Sequence, residues 1–145
     1  MSETTTTQRY QTTNPYESLF GYSRGVRKGP FIFISGTTST STPPASTSPS
    51  TPSTPVILYP DSAYDQAKHI FNTIIQSVEA LGGKRIDITR VRMFVREDKD
   101  TGDVGRALKE VLGDEDARPA ATMIVGARFV SEDMRVEIEA DAVVL

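Results

Sequence analysis

Residues 118–145 read RPAATMIVGARFVSEDMRVEIEADAVVL. The segments RPAATMIVGARF and MRVEIEADAVVL are rich in residues that favour strands, and the acidic VSED between them is typical of a turn. The sequence therefore predicts a β-hairpin at this end of the chain.

The last segment of this stretch alternates between apolar and charged residues, as a strand with two different faces does. The acidic face has two interpretations. It is either exposed to solvent, which is usual for an antiparallel sheet, or it lines a cleft in which one carboxylate takes part in chemistry. Alternation alone favours the solvent-exposed interpretation. One face carries Val136, Ile138, Ala140 and Ala142, and the other carries Arg135, Glu137, Glu139 and Asp141.

Composition excludes several classes of function. The chain has 145 residues, with 16 Lys and Arg against 19 Asp and Glu and a formal net charge of −3. This length suits one domain, and this charge offers no general attraction for nucleic acid or anionic lipid. Cysteine is absent, which excludes thiolate catalysis and cysteine-ligated metals. The single histidine, His69, argues against a His-rich metal site or a Ser-His-Asp triad, and we assign it no chemistry.

Two segments are predicted to stay outside the folded core. Residues 1–16 are Thr-rich and predict a flexible N-terminal tail, and residues 17–145 are then a single domain. Residues 38–55 read TSTSTPPASTSPSTPSTP, a composition that cannot bury enough apolar surface to fold, so we expect a disordered insertion in a loop. No apolar run reaches the roughly 18 residues of a membrane-spanning helix, and the N-terminus lacks the apolar core of a secretory signal. We therefore expect a cytoplasmic protein without membrane contacts, with a mitochondrial location left open.

The remaining elements follow from local patterns. GYSRGV and FIFIS predict two strands around the turn RKGP, and the continuous apolar run of residues 31–34 suits a strand buried on both faces. A short strand at residues 56–58 is predicted to resume the sheet. Asp61 or Ser62 is predicted to cap a helix, with Asp65 placed for a capping box from Ser62, and Gly82-Gly83 to end it. Its buried stripe is predicted to be Ala67, Ile70, Phe71, Ile74, Val78 and Leu81.

A further strand over residues 86–95 and a helix over residues 103–112 complete the order β-β-β-α-β-α-β-β. This order predicts an α+β fold, with one mixed sheet that carries two helices on one face. The other face carries Arg92 and Phe94, and an open face with aromatic residues predicts self-association.

Five segments in this order resemble the Rid (YjgF-like) superfamily of imine and enamine deaminases: GYSRGVRKGPFIFISGTTS, EALGG, DITRVRMFVRE, RPAATMIV and VEIEADAV. The resemblance covers residues 21–145 apart from the Ser/Thr/Pro insertion. It implies a fold like that of bacterial chorismate mutase and a homotrimer with three small-molecule clefts between subunits. It also implies that no metal or organic cofactor is used.

The resemblance carries site residues over unevenly. It implies that Tyr22 lines the cleft, that the backbone of Ser35-Gly36 faces the ligand, and that Glu137 holds and activates a water molecule. The family's ligand-clamping arginine, however, is the third residue of Pro-Ala-Arg, and here the third residue is Ala121. Two residues later, where several members carry Cys, this chain has Met123. Both positions are expected to face the cleft.

An alanine cannot form the bidentate pair that an arginine makes with a substrate carboxylate. Arg24 is the first candidate to replace it, because it lies two residues after Tyr22 on the same predicted strand. Arg92 is the second candidate, although a structural ion pair is the more common role for such a residue. Thr37 is a further candidate for a hydrogen bond to a ligand. A glutamate beside an arginine, as Glu137 would be, is expected to stay ionised.

Two functional hypotheses follow. The first is a trimeric Rid-type hydrolase that acts on an imine, enamine or related metabolite. The second is a non-catalytic trimer that binds small metabolites or protects other proteins, and Ala121 is the residue that favours it. A purely structural trimer is a weaker third interpretation.

Overall fold

The computed structural model describes residues 6–41 and 54–145. Within them, eight strands and three α-helices alternate in an α+β arrangement, and short 3₁₀ turns precede β6 and α3. The elements are β1 Thr7–Tyr10, α1 Pro15–Phe20, β2 Gly25–Lys28, β3 Phe31–Thr37, β4 Thr40–Ser41, β5 Val56–Ile57, α2 Ala63–Ala80, β6 Ile88–Val95, α3 Thr101–Leu112, β7 Ala120–Val125 and β8 Val136–Val143.

Six strands form one mixed sheet in the order β1-β2-β3-β8-β6-β7. β6 and β7 run parallel, and the other neighbours run antiparallel. Residues of α2 and α3 share one apolar core with the inward-facing residues of β3, β6 and β8. The predicted fold class, one mixed sheet with two helices on one face, is therefore confirmed.

The predicted C-terminal hairpin is wrong. β7 and β8 do not pair with each other, because β6 lies between them and pairs with both. Parallel strands need a long crossover connection, and α3 supplies it between β6 and β7. The acidic segment that resembles a hairpin turn is part of a longer loop that carries the chain past β6 to β8.

The long helix and the central strands follow the predicted periodicity. α2 begins after Ser62, whose hydroxyl accepts a hydrogen bond from the Asp65 amide at 3.1 Å. The reciprocal half of the predicted capping box is absent from these residues, because the Ser62 amide donates to the Tyr59 carbonyl instead. All six residues of the predicted helix stripe are buried, as are the four apolar residues of β8.

Two local predictions differ from the structure, and a third falls mostly on residues that the structure does not describe. Residues 7–16 are not a free tail, because β1 pairs with β2 and Asn14 caps α1; residues 1–5 lie outside the described residues. β5 does not resume the main sheet, since it pairs with β4 in a separate two-stranded ribbon. Most of the predicted disordered insertion, residues 42–53, also lies outside the described residues.

β3 is buried on one face and not on both. Ile32 and Ile34 point into the core, whereas Phe31 and Phe33 are each half exposed. Phe33 pairs with Asp141 of β8, which lies on the face opposite the helices. This uncovered face of the sheet, which we call the open face, also carries an ionic cluster in which Arg92 contacts Glu139 at 3.2 Å and Asp141 at 3.3 Å.

One buried polar residue fixes two loops to α2. The Gln66 side chain is fully buried and donates to the carbonyls of Leu58 at 3.0 Å and Asp133 at 2.8 Å. Its carbonyl oxygen accepts from the Arg135 amide at 2.9 Å. Gln66 therefore positions the end of the loop that leads into β8. No helix in the described part of the chain is long and apolar enough to cross a membrane.

The open face predicts that the chain self-associates. We expect light scattering to give about three times the 15.9 kDa chain mass, and we expect Phe33→Glu to shift the protein towards monomer by placing a charge on that face. Ile86→Glu is the matched control, because Ile86 is as exposed as Phe33, at 50 %, but lies in the turn before β6. A wild-type monomer, or an equal loss of assembly in both variants, contradicts the prediction.

Candidate functional site

A pocket of about 820 Å³ opens where the segment from α1 to β2 meets the end of β3 and the start of β8. Its volume lies within the range of small-molecule sites, roughly 300–1,000 Å³. Five sequence-predicted residues, together with Glu137 of β8, meet in its wall. They are Tyr22, Arg24, Ser35, Gly36 and Thr37.

An irregularity in β3 shapes one wall. The register between β3 and β8 shifts between Ile34 and Thr37, so that Ser35 and Gly36 form a bulge. The Ser35 amide donates to the Arg24 carbonyl at 3.0 Å, and its hydroxyl donates to the Ser23 carbonyl at 2.6 Å. These two bonds tie the bulge to the segment before β2. Bulges often re-aim side chains beside functional sites.

Gly36 allows the Glu137 carboxylate to lie against the backbone of the bulge. A Cβ atom at this position would sit 2.5 Å from Glu137 Oε1. The close approach of backbone and carboxylate is therefore possible only without a side chain. The Ser-Gly pair found by resemblance thus has a steric reason in this chain.

The Glu137 carboxyl group is half-buried and has a raised pKa. Burial is the main cause, the Arg24 guanidinium opposes it, and the nearby Glu139 carboxylate adds to it. Among the described residues, no side chain or backbone group forms a hydrogen bond or ion pair with the Glu137 carboxylate. The expectation that the pKa of this glutamate is not raised beside an arginine is therefore wrong, because burial outweighs the attraction.

Arg24 lies in the pocket wall, and the guanidinium is surrounded by protein acceptors. Its residue is 5 % exposed. Nη1 donates to the Gly36 carbonyl at 2.7 Å and to Thr37 Oγ1 at 3.2 Å, and Nη2 donates to the Tyr22 hydroxyl at 3.4 Å. Arg24 and Tyr22 precede β2 and are not on one strand as predicted, yet the loop brings them together.

Glu17 is the residue that sequence reasoning missed. It is 1 % exposed, and its Oε2 lies 3.4 Å from Arg24 Nε. Its carboxylate also accepts hydrogen bonds from the Thr12 amide at 2.7 Å and from the Thr12 hydroxyl. The signal was present in the sequence: Asn14 and Pro15 begin a helix, and a Glu three residues after an N-cap is a known helix-start pattern.

The other predicted site residues do not reach this pocket within one chain. Arg92 is held in the ionic cluster of the open face, which is the structural role that the sequence analysis kept open for it. Ala121 and Met123 pair in register with Val91 and Met93 on the edge strand β7, and Met123 packs against the core. None of these three lines the pocket that contains Glu137.

His69 and metal binding play no part in the pocket's geometry. His69 lies on α2, and burial lowers the pKa of its imidazole. Its Nδ1 is buried without a hydrogen-bond partner among the residues described. Across the same residues, no group of three or more His, Asp or Glu side chains could hold a metal ion.

Comparison with known proteins shows the same fold and a matching family. The family described as Endoribonuclease L-PSP matches residues 12–144. An uncharacterized protein of Streptomyces coelicolor, SCO2049, is 27% identical over 136 residues, which are 93% of this chain and 90% of that protein.

Two solved structures are similar over nearly their whole length. Rv2704 of Mycobacterium tuberculosis, a member of the YjgF/YER057c/UK114 family, has a TM-score of 0.78 and 25% identity, with 96% of this chain and 100% of that chain covered. The YjgF gene product of E. coli has a TM-score of 0.71 and 27% identity, with 94% and 98% covered. The predicted chorismate-mutase-like fold of the Rid superfamily is confirmed by these matches.

The raised pKa of Glu137 predicts how stability changes with pH. The folded state favours the protonated carboxyl, so this group's contribution to stability is fully present below its ordinary pKa of 4.5 and is lost as pH rises through the higher folded value. Glu137→Gln keeps a neutral side chain of the same shape. The variant should therefore gain free energy of unfolding relative to wild type as pH rises from about 4 to 7, measured by urea denaturation.

Glu79→Gln is the control for that measurement. It removes an exposed carboxylate on α2 that is not among the groups that shift the pKa of Glu137, and it should show no gain in stability with rising pH. A stability difference between Glu137→Gln and wild type that stays constant across this pH range contradicts the prediction.

Proposed function

Because the chain belongs to the Endoribonuclease L-PSP family, which includes the YjgF proteins, we propose that it hydrolyses the C=N bond of a small imine or enamine metabolite in the pocket around Glu137. The alternative is that the same pocket binds a small metabolite without turnover. No metal or organic cofactor is part of this proposal, because water is the only co-reactant that the hydrolysis needs.

The position of the Glu137 carboxyl group carries the proposal. It points into a pocket of suitable volume, lies against the Gly36 backbone, and forms no bond with the described protein groups. Its burial raises its pKa towards the pH range in which one group can both accept and donate a proton. A carboxyl group that lies in a cleft and has a shifted pKa is typical of functional sites.

The reaction needs one proton carrier. Glu137 accepts a proton from water while the water oxygen forms a bond to the imine carbon. The C=N π electrons move to the nitrogen, and the nitrogen then takes the proton from Glu137. In the resulting carbinolamine, Glu137 accepts the hydroxyl proton and delivers it to nitrogen. The C–N bond then breaks, ammonia leaves and a carbonyl group forms, so that protons and electrons balance. An enamine first tautomerises to the imine.

Neighbouring groups hold the substrate and limit water access. The Tyr22 hydroxyl and Thr37 Oγ1 lie beside the Arg24 guanidinium in the wall, and both can orient a polar substrate group. The aromatic rings of Tyr16 and Phe20, which stack at 6.0 Å, supply an apolar side to the pocket. Orientation of this kind lowers the entropic part of the barrier.

We include in the proposal a homotrimer with clefts between subunits. The half-exposed Phe31 and Phe33 on the open face support the homotrimer, since exposed aromatic side chains on one face favour association. In such a trimer, the edge strand β7, with Ala121 and Met123, is the element through which a neighbouring subunit would complete the cleft.

Ala121 is the observation that favours the non-catalytic alternative. It stands where the related motif has its arginine, so the chain lacks a clamp for a substrate carboxylate. A binding protein needs no such clamp to retain a neutral ligand, and a hydrolase of carboxylate substrates does.

An assay that generates the imine in situ separates the two candidates. We expect turnover above background for at least one of 2-iminobutyrate and a matched uncharged imine, and we expect Glu137→Gln to lose about 10²–10⁴-fold of it, because a general acid–base group contributes that much. Glu139→Gln, on the same strand but outside the pocket, should stay within a few-fold of wild type.

If the protein binds an imine analogue saturably without turnover, and if Glu137→Gln binds it with the same affinity, the result supports the non-catalytic alternative. Ala121→Arg extends the test to the interface. If β7 of a neighbour completes the cleft, this variant gains turnover of 2-iminobutyrate, and the double variant Ala121→Arg with Glu137→Gln loses the gain. No gain in a well-folded Ala121→Arg trimer contradicts the intersubunit arrangement.

A further inference from the structure

The pocket contains one guanidinium, and a carboxylate of the same chain already holds it. Among the described residues that line the pocket, Arg24 is the only Lys or Arg side chain. The remaining polar lining consists mainly of hydroxyl groups, including those of Thr12, Thr37 and Tyr22, and the only lining carboxylate is Glu137.

Each of the three guanidinium nitrogens of Arg24 donates to a protein atom. Nε faces Glu17 Oε2 at 3.4 Å, Nη1 donates to the Gly36 carbonyl and Thr37, and Nη2 donates to Tyr22. A bidentate pair with a ligand carboxylate needs two parallel N–H donors from one edge of the guanidinium. Four of the five N–H donors of Arg24 are used in this way, so a carboxylate that binds through two of them would have to break at least one of these contacts.

Glu17 is held firmly in its position. Besides Arg24, it is bonded to the Thr12 amide and hydroxyl, and it lies within α1, which Asn14 caps and Pro15 begins. Its side chain is 1 % exposed, so a ligand that displaced it from Arg24 would leave a buried carboxylate without its cation. Glu17 does not itself line the pocket, but it already supplies the Arg24 guanidinium with a buried carboxylate partner.

From this geometry we propose that Glu17 acts as an internal carboxylate for Arg24, so that the pocket selects uncharged ligands over carboxylates. The ligand class is a small neutral molecule with an amide-like or imine group for the hydroxyls of Tyr22 and Thr37 and an apolar part for Tyr16 and Phe20. Glu17 and Arg24 are positioning residues here. This proposal names the substrate class of the pocket in the proposed function and rests on that pocket.

Charge near Glu137 acts in the same direction. A ligand carboxylate in this pocket would lie close to the Glu137 carboxylate, with no free cation among the described lining residues to offset the repulsion. A neutral imine or amide meets no such repulsion and can still accept or donate hydrogen bonds.

Crotonamide and crotonate test the proposal, because they have the same shape and differ in charge. Binding to the wild-type protein is measured by titration calorimetry and by ligand-observed NMR at pH 7.5. We expect crotonamide to bind at least about tenfold more tightly than crotonate, because a carboxylate must displace a buried hydrogen-bonded charge pair.

Glu17→Gln is the informative variant, with Glu139→Gln as the matched loss of a carboxylate outside the pocket. Glu17→Gln frees the Arg24 charge, so it should bind crotonate at least about tenfold more tightly than wild type does and reduce or reverse the preference. Glu139→Gln should keep the wild-type preference. Circular dichroism checks that Glu17→Gln is folded, and if it is not, the wild-type comparison decides alone.

The outcomes separate this inference from the proposed function. Tighter binding of crotonate than crotonamide by wild type overturns the inference and leaves a hydrolase of carboxylate substrates in place. Binding of crotonamide without turnover of any imine supports the inference and contradicts the catalytic proposal. An unchanged preference in a folded Glu17→Gln protein overturns the role of Glu17, and binding of neither compound overturns the inference outright.

Discussion

The buried pair between Glu17 and Arg24 connects the parts of the chain that form the pocket. Glu17 belongs to α1, Arg24 precedes β2, and Arg24 in turn bonds to the Gly36 carbonyl in the β3 bulge. Removing two charges from water is costly, and the pair is tolerable only because further hydrogen bonds satisfy both partners. Thr12 supplies these to Glu17, and Gly36 and Thr37 supply them to Arg24. One satisfied polar network therefore fixes the N-terminal segment, the bulge and the approach to Glu137.

The periodicity of apolar residues made the central helix and strands predictable. It did not predict which strands lie next to each other in the sheet. The spacing in α2 and the alternation in β6 and β8 state which face of each element is buried, because each element must bury one side. Alternation does not state which strand lies beside which. The acidic segment between β7 and β8 resembles a hairpin turn, but a parallel β6–β7 pair, joined through α3, takes the place of the hairpin.

Local sequence patterns do not show which segments meet in the fold, and this explains which site residues the sequence analysis found and which it missed. Family-like motifs located Tyr22, Ser35-Gly36 and Glu137, and all of these residues line the pocket. Glu17 was missed because its role arises from an irregular N-terminal segment that short polar residues made resemble a tail. The pKa direction of Glu137 was then mispredicted for a related reason. The prediction weighed only the Arg24 charge, whereas the burial that raises this pKa is a property of the folded pocket.

Two features of this chain that are separate in sequence have one chemical consequence. Ala121 removes a cation at the position where the related motif places one, and Glu17 neutralises the cation that remains in the pocket. In the proposed trimer, in which β7 of a neighbouring subunit completes the cleft, either feature alone would leave a carboxylate ligand with one arginine to bind. Together they leave hydroxyls, aromatic rings and a half-buried carboxyl group whose pKa is raised by burial. A neutral ligand suits a glutamate in such surroundings, because a charged ligand would have to enter the pocket without a counter-ion. The charge of the pocket thus depends on the buried pair, whereas the raised pKa of Glu137 depends mainly on the burial of its carboxyl group.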